Sequence, residues 1–234
     1  INHLQSHNYM DVREEIINCI SESDLVLVDA CIFGCTDPSG SHREISEHLY
    51  DAKKISQLEN LTEEVFALHM AWRWDLHCIV SKDNVYTIPG VVEEINGFSR
   101  ILQNSYSWHT ELIRNPKRKG KPSKNMGDPR EEFPVLDYLD SLIKDVGRTI
   151  NRLNIYRGPK VELFRNVEGA SETDYNLVEA AVGYSLSHPE MKVEILSEDR
   201  HVHKIINNYL KNKIARTINE TQTDLETITG ISQS

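Results

Sequence analysis

Two apolar patterns alternate along the chain: short unbroken runs, and residues spaced three or four apart. Leu25 to Val28 is an unbroken run closed by Asp29, the pattern of a strand covered on both faces. Val85 to Ile88, Val161 to Phe164 and Val193 to Leu196 repeat it more weakly and predict three further strands. Elsewhere the spacing is helical. Met10, Ile16, Ile17 and Ile20 share one face of a helix near the amino end, and Arg43–Leu58 predicts another. In Leu61–Val80 the residues Val65, Leu68, Trp72, Leu76 and Ile79 share a face. Asp83-Asn84 predicts a turn before the second strand, after which Pro89 sits where a helix tolerates it, in the first turn. Helices over Phe133–Leu153, after Ser171 and over His201–Leu210 complete the series, Ser171 standing where an N-terminal cap belongs. Strands alternating with helices predict an α/β fold with a mostly parallel sheet.

Composition narrows this picture only a little. The 234 residues carry a net charge of −10, which argues against a wholly basic nucleic-acid binder but leaves local patches open. No apolar run approaches the roughly 20 residues of a membrane span, and the amino end lacks the regions of a secretory signal. The expectation is a soluble intracellular protein with no membrane partner, cytoplasmic with the nucleus left open. Cys19, Cys31, Cys35 and Cys78 are too sparse for a disulfide framework. Cys31, Cys35, His77 and Cys78 match no standard zinc spacing, so buried thiols are the default. Trp72 and Trp74 are expected in packing rather than in base stacking.

Acidic residues close several of the predicted elements. Asp29 ends the first strand, Glu93 and Glu94 lie early in the helix that starts Pro89-Gly90-Val91-Val92, Asp174 lies in the start Glu172-Thr173-Asp174, and Asp199 follows the last strand in Leu196-Ser197-Glu198-Asp199. A parallel sheet gathers the carboxyl ends of its strands and the adjoining helix starts into one crevice. Carboxylates gathered there repel unless a cation lies between them, so the pattern points to one or two magnesium or manganese ions. A contrasting stretch holds Arg114, Lys117, Arg118, Lys119, Lys121 and Lys124, with no acid before Asp128. Its prolines and glycines forbid a regular element, so it is either a solvated loop or an arm that meets phosphates.

These residues resemble the ordered motifs of PIN-domain nucleases. The resemblance rests on Val28-Asp29-Ala30-Cys31-Ile32-Phe33, on Ile88-Pro89-Gly90-Val91-Val92-Glu93-Glu94-Ile95, on the Asp174 helix with Ala180-Ala181, and on Leu196-Ser197-Glu198-Asp199. It spans about residues 24 to 212, between an amino-terminal helical extension (1–23) and a polar carboxyl tail (213–234). It implies a three-layer α/β/α fold with a central sheet of four or five strands. Helical residues at about 34–84 and the basic segment at about 104–157 are insertions relative to the compact pattern. The resemblance implies that Asp29, Glu94, Asp174 and Asp199 are catalytic and hold Mg2+ or Mn2+, with Glu94 preferred to Glu93 because Ile95 follows it. Ser197, Arg200, His201 and the basic residues Lys117, Arg118, Lys119, Lys121 and Lys124 are expected to meet substrate. Many members carry an acid where this chain has His201, which bears on a second metal position. The implied activity is metal-dependent endoribonuclease action on single-stranded or loop RNA, with DNA left open and protein partners unknown.

Each acid also has a plainer reading. Asp29 could terminate its strand, Asp174 could cap its helix, Glu94 could be a solvated helix residue, and Asp199 could sit in a turn. The alternative function is a non-catalytic scaffold that binds RNA or protein.

Overall fold

The computed structural model describes residues 9–34, 42–114 and 132–213. Four strands form one sheet: β1 (Leu25–Val28), β2 (Val85–Thr87), β3 (Asn154–Ile155) and β4 (Val193–Leu196). The order is β3-β2-β1-β4 and every pairing is parallel, with Leu27 facing Tyr86 on one side and Ile195 on the other. Helices flank the sheet, giving the α/β/α layering. The chain builds outward from β1 through β2 to β3, then returns to place β4 against the other side of β1. Strand order therefore reverses at β1, where open parallel sheets form a crevice beyond the strand ends.

All four residues of β1 are buried, as its unbroken apolar run requires. Helix α1 (Tyr9–Glu22) buries Ile16 and Ile20, and its end is tied down by Asn84, whose side-chain amide donates to the carbonyls of Ile20 and Ser23, each at 2.8 Å. The Thr87 hydroxyl donates to Val28 O at 2.8 Å and fastens the end of β2 to β1.

The expected helix over Arg43–Leu58 is in fact two helices, α2 (His42–Asp51) and α3 (Ile55–Glu59). The Gln57 side-chain oxygen accepts from the backbone N–H groups of Lys53 and Lys54 at 2.9 and 3.0 Å, which stabilises the break between them. Helix α4 (Thr62–Cys78) buries Trp72 between Phe33 and Phe98, with ring centroids 5.6 and 5.8 Å apart, the packing role expected of it. Next come α5 (Pro89–Arg114) and α6 (Pro134–Arg152), the latter burying Val135, Leu136, Leu139, Leu142 and Val146 at helical spacing. A buried polar bridge joins α4 to α6, His69 Nε2 lying 3.1 Å from Asp145 Oδ2.

The expected strand at Val161–Phe164 does not form; the third strand is Asn154–Ile155. Residues 157–170 instead lie along α7 (Glu172–Ser187) and are held by side chains of that helix. Leu163 N–H donates to Glu179 Oε1 at 2.8 Å and Val167 N–H to the Tyr175 hydroxyl at 2.8 Å. Arg165 lies over the Tyr175 ring and pairs with Glu179 and Glu172. Gly183 permits this approach, because a Cβ there would stand 2.5 Å from Pro159 O. With no sheet face to cover it, Phe164 is 82% exposed. The described residues end with helix α8 at residues 200–213.

Candidate metal centre

Asp29 follows β1 directly and caps a short helical turn, Ala30–Ile32. Its Oδ1 accepts from Ala30 N–H at 2.7 Å, and its Oδ2 accepts from the Ser197 hydroxyl at 2.6 Å and the Cys31 thiol at 3.2 Å. Asp29 is 5% exposed. Burial raises its pKa; the Ser197, Cys31 and Ala30 donors offset part of that rise, and the charge of Asp174 adds to it.

Ser197 links this strand end to the next. Its hydroxyl donates to Asp29 and accepts from Asp199 N–H at 3.0 Å, so one buried group orients two of the acids. Asp199 then caps α8: its Oδ1 accepts from His201 N–H at 2.6 Å and lies 3.0 Å from His201 Nδ1. Cys31 strengthens the same junction by accepting from Glu198 N–H at 3.1 Å, and burial followed by the charge of Asp29 pushes its thiol pKa up.

Asp174 comes from the opposite wall. It forms a reciprocal cap with Ser171: Ser171 N–H donates to Asp174 Oδ2 at 2.6 Å, and Asp174 N–H donates to Ser171 Oγ at 3.1 Å. Only 8% of Asp174 is exposed. The starts of α5 and α7 approach closely because residue 90 is glycine, where a Cβ would come within 2.7 Å of Thr173 Oγ1. The Thr173 hydroxyl, on the facing helix start, favours the ionised form of Glu94. Glu94 is exposed as a residue. Its carboxyl is still crowded enough for lost hydration to raise its pKa; Thr173 offsets part of this, and Asp29, Asp174 and Asp199 raise it further.

Of the acids expected from the sequence, Asp29 is thus near enough to feel the charge of Asp174, and Glu94 near enough to feel those of Asp29, Asp174 and Asp199. Among the described residues, Asp174, Asp199 and His201 come closest to a metal cage, offering ligand atoms within 4.8 Å of one another. Such a donor set, oxygens supplemented by one imidazole nitrogen, suits a divalent cation. His201 was expected at substrate, yet its ring turns back onto Asp199, and a Cβ on Gly169 would stand 3.2 Å from its Nε2. Gly169 has a φ of +80°, which leaves that room open and which other residues adopt reluctantly.

Ser197, also expected at substrate, is buried between two acids, while Arg200 is exposed at the start of α8. Lys117, Arg118, Lys119, Lys121 and Lys124 lie outside the described residues, as do Cys35 and the carboxyl tail. Cys19, Cys31 and Cys78 are free thiols of intermediate burial. Cys31 and Thr173 as partners of the acids escaped the sequence, because a thiol two residues past an aspartate and a threonine inside a helix start carry no spacing signal of their own. Among the described residues no helix is long and apolar enough to cross a membrane. Compared with protein-family models, curated proteins and solved structures, the chain has no match.

Proposed function

We propose that the chain is a divalent-metal-dependent nuclease of the PIN type, acting as an endoribonuclease on single-stranded or loop RNA. One observation supports the reading: at the strand-end crevice of a parallel sheet the Ser197 hydroxyl joins Asp29 to Asp199, and Asp199 offers a ligand atom within 4.8 Å of one from Asp174. Like charges held together at such cost to hydration are expected where a cation offsets them.

Asp174 and Asp199 would hold Mg2+ or Mn2+, with Asp29 behind them. When bound, the ion supplies Lewis-acid charge for the attacking water and the leaving oxygen of a phosphodiester. Glu94, whose raised pKa brings it toward the range of a useful base, takes the proton from water at its carboxyl. Thr173 favours the ionised form of that carboxyl. Ser197 and Cys31 fix Asp29 so that its charge stays directed at the crevice. Exposed Arg200 is suited to a substrate phosphate.

Labelled single-stranded RNA incubated in Mn2+, Mg2+ or EDTA, beside Asp29→Asn and Asp174→Asn, tests this. Cleavage that requires metal and disappears in both variants supports the reading. Equal cleavage by wild type and variants assigns the activity elsewhere and refutes it.

A second reading is a non-catalytic scaffold that binds RNA or protein. It is favoured by the structural employment of two acids, since Asp174 and Asp199 each cap a helix. RNA binding without cleavage, unaffected by EDTA, would establish it.

A further inference from the structure

The geometry points to His201 as a nitrogen ligand of the metal centre, biasing the site toward a first-row transition ion such as manganese and away from magnesium. This rests on the metal-dependent reading above and specifies which ion it uses. Three observations carry it. His201 offers a ring nitrogen within 4.8 Å of ligand atoms from both Asp174 and Asp199. Its Nδ1 lies 3.0 Å from Asp199 Oδ1, close enough for the two atoms to face one cation. On its other side, the absent side chain of Gly169, in a left-handed backbone conformation, leaves the ring room beside Nε2.

The chemistry follows from the donor atom. Magnesium is hard, prefers oxygen and keeps its waters, whereas imidazole suits transition ions. A site of oxygen ligands alone, from Asp174, Asp199 and water, would serve either ion. Adding one imidazole selects between them. His203 does not compete for this role, because its Nε2 lies 3.1 Å from the Ser197 carbonyl.

Pulsed EPR of the Mn2+-loaded full chain reads the ligand directly, because a coordinated imidazole nitrogen modulates the echo. The expected result is nitrogen modulation in wild type, its loss in His201→Gln, and Mn2+ affinity lowered about tenfold or more with Mg2+ affinity little changed. His201→Asp should reverse the preference toward Mg2+. Should His201→Gln fail to fold, His201→Asn serves as the second variant, and wild type labelled with 15N-histidine shows that the modulation arises from a histidine. Bound Mn2+ without nitrogen modulation, or modulation that survives His201→Gln, overturns the assignment and leaves the metal reading standing. A wild-type chain that binds neither Mn2+ nor Mg2+ overturns both.

Discussion

Asp75 is fully buried in α4, far from water and off the metal centre. Its Oδ2 accepts from Gly34 N–H at 2.7 Å, while its Oδ1 has no partner. Burial raises its pKa from 3.8 to about 8, the Gly34 bond and the charge of Arg13 offsetting only part of that rise. A carboxyl whose folded pKa exceeds its unfolded value favours the folded state fully below the unfolded value. That contribution is lost as pH rises through the folded one. Between about pH 4 and pH 8 the unfolded chain is ionised while the native chain holds its proton. Each pH unit in that window removes about 1.4 kcal/mol. The full window would remove roughly 5 kcal/mol, a large part of the 5 to 15 kcal/mol typical of a domain, so this figure is an upper limit. Asp75→Asn keeps the shape and the acceptor for Gly34 N–H but cannot ionise. Urea unfolding at pH 5, 6, 7 and 8 should find the two proteins within about 2 kcal/mol at pH 5 and the variant gaining a further 2 to 4 kcal/mol, roughly, by pH 8. Parallel pH dependences for wild type and variant, or a variant weaker at pH 8, would refute the reasoning.

Three other perturbations probe the site and its frame. Gly90→Ala should cost about tenfold to a hundredfold in cleavage rate with circular dichroism unchanged, because the added Cβ meets Thr173 and separates Glu94 from Asp174. Ser197→Ala should destabilise the protein by about 1.5 to 3 kcal/mol at neutral pH. The lost donor favours ionised Asp29, so that loss should shrink as acid protonates the carboxyl, which urea titrations at two pH values would show. Asp145→Ala should cost roughly 3 kcal/mol in thermal or chemical unfolding, since it strips buried His69 of its partner and releases Arg148.

Legibility in the sequence followed local pattern. Asp29 and Asp199 were readable because each closes an apolar run, and Asp174 because a serine cap stands three residues before it. The α/β order was readable for the same reason. Strand β3 was not, since two residues are too few for any period, while Val161–Phe164 had strand composition but no neighbouring strand to receive it. Glu179 and Tyr175 take up that segment's backbone groups, an outcome decided by tertiary position rather than by composition. His201 was expected at substrate, because nothing local in its sequence shows that the fold sets its ring beside Asp174 and Asp199. Burial of Asp75 was equally hidden, because its partner Gly34 stands 41 positions earlier.

The link between Ser197 and Asp29 closes a chain separation of 168 residues. During synthesis Asp29 and Glu94 leave the ribosome well before Asp174 and Asp199, so the nascent chain holds half of the acids with nothing to complete them. Loop closure over such a distance carries an entropic cost that is recovered only when β4 pairs with β1. The crevice therefore cannot be completed before β4 has been made, and until then Asp29 lacks the Ser197 hydroxyl that holds it in the folded chain.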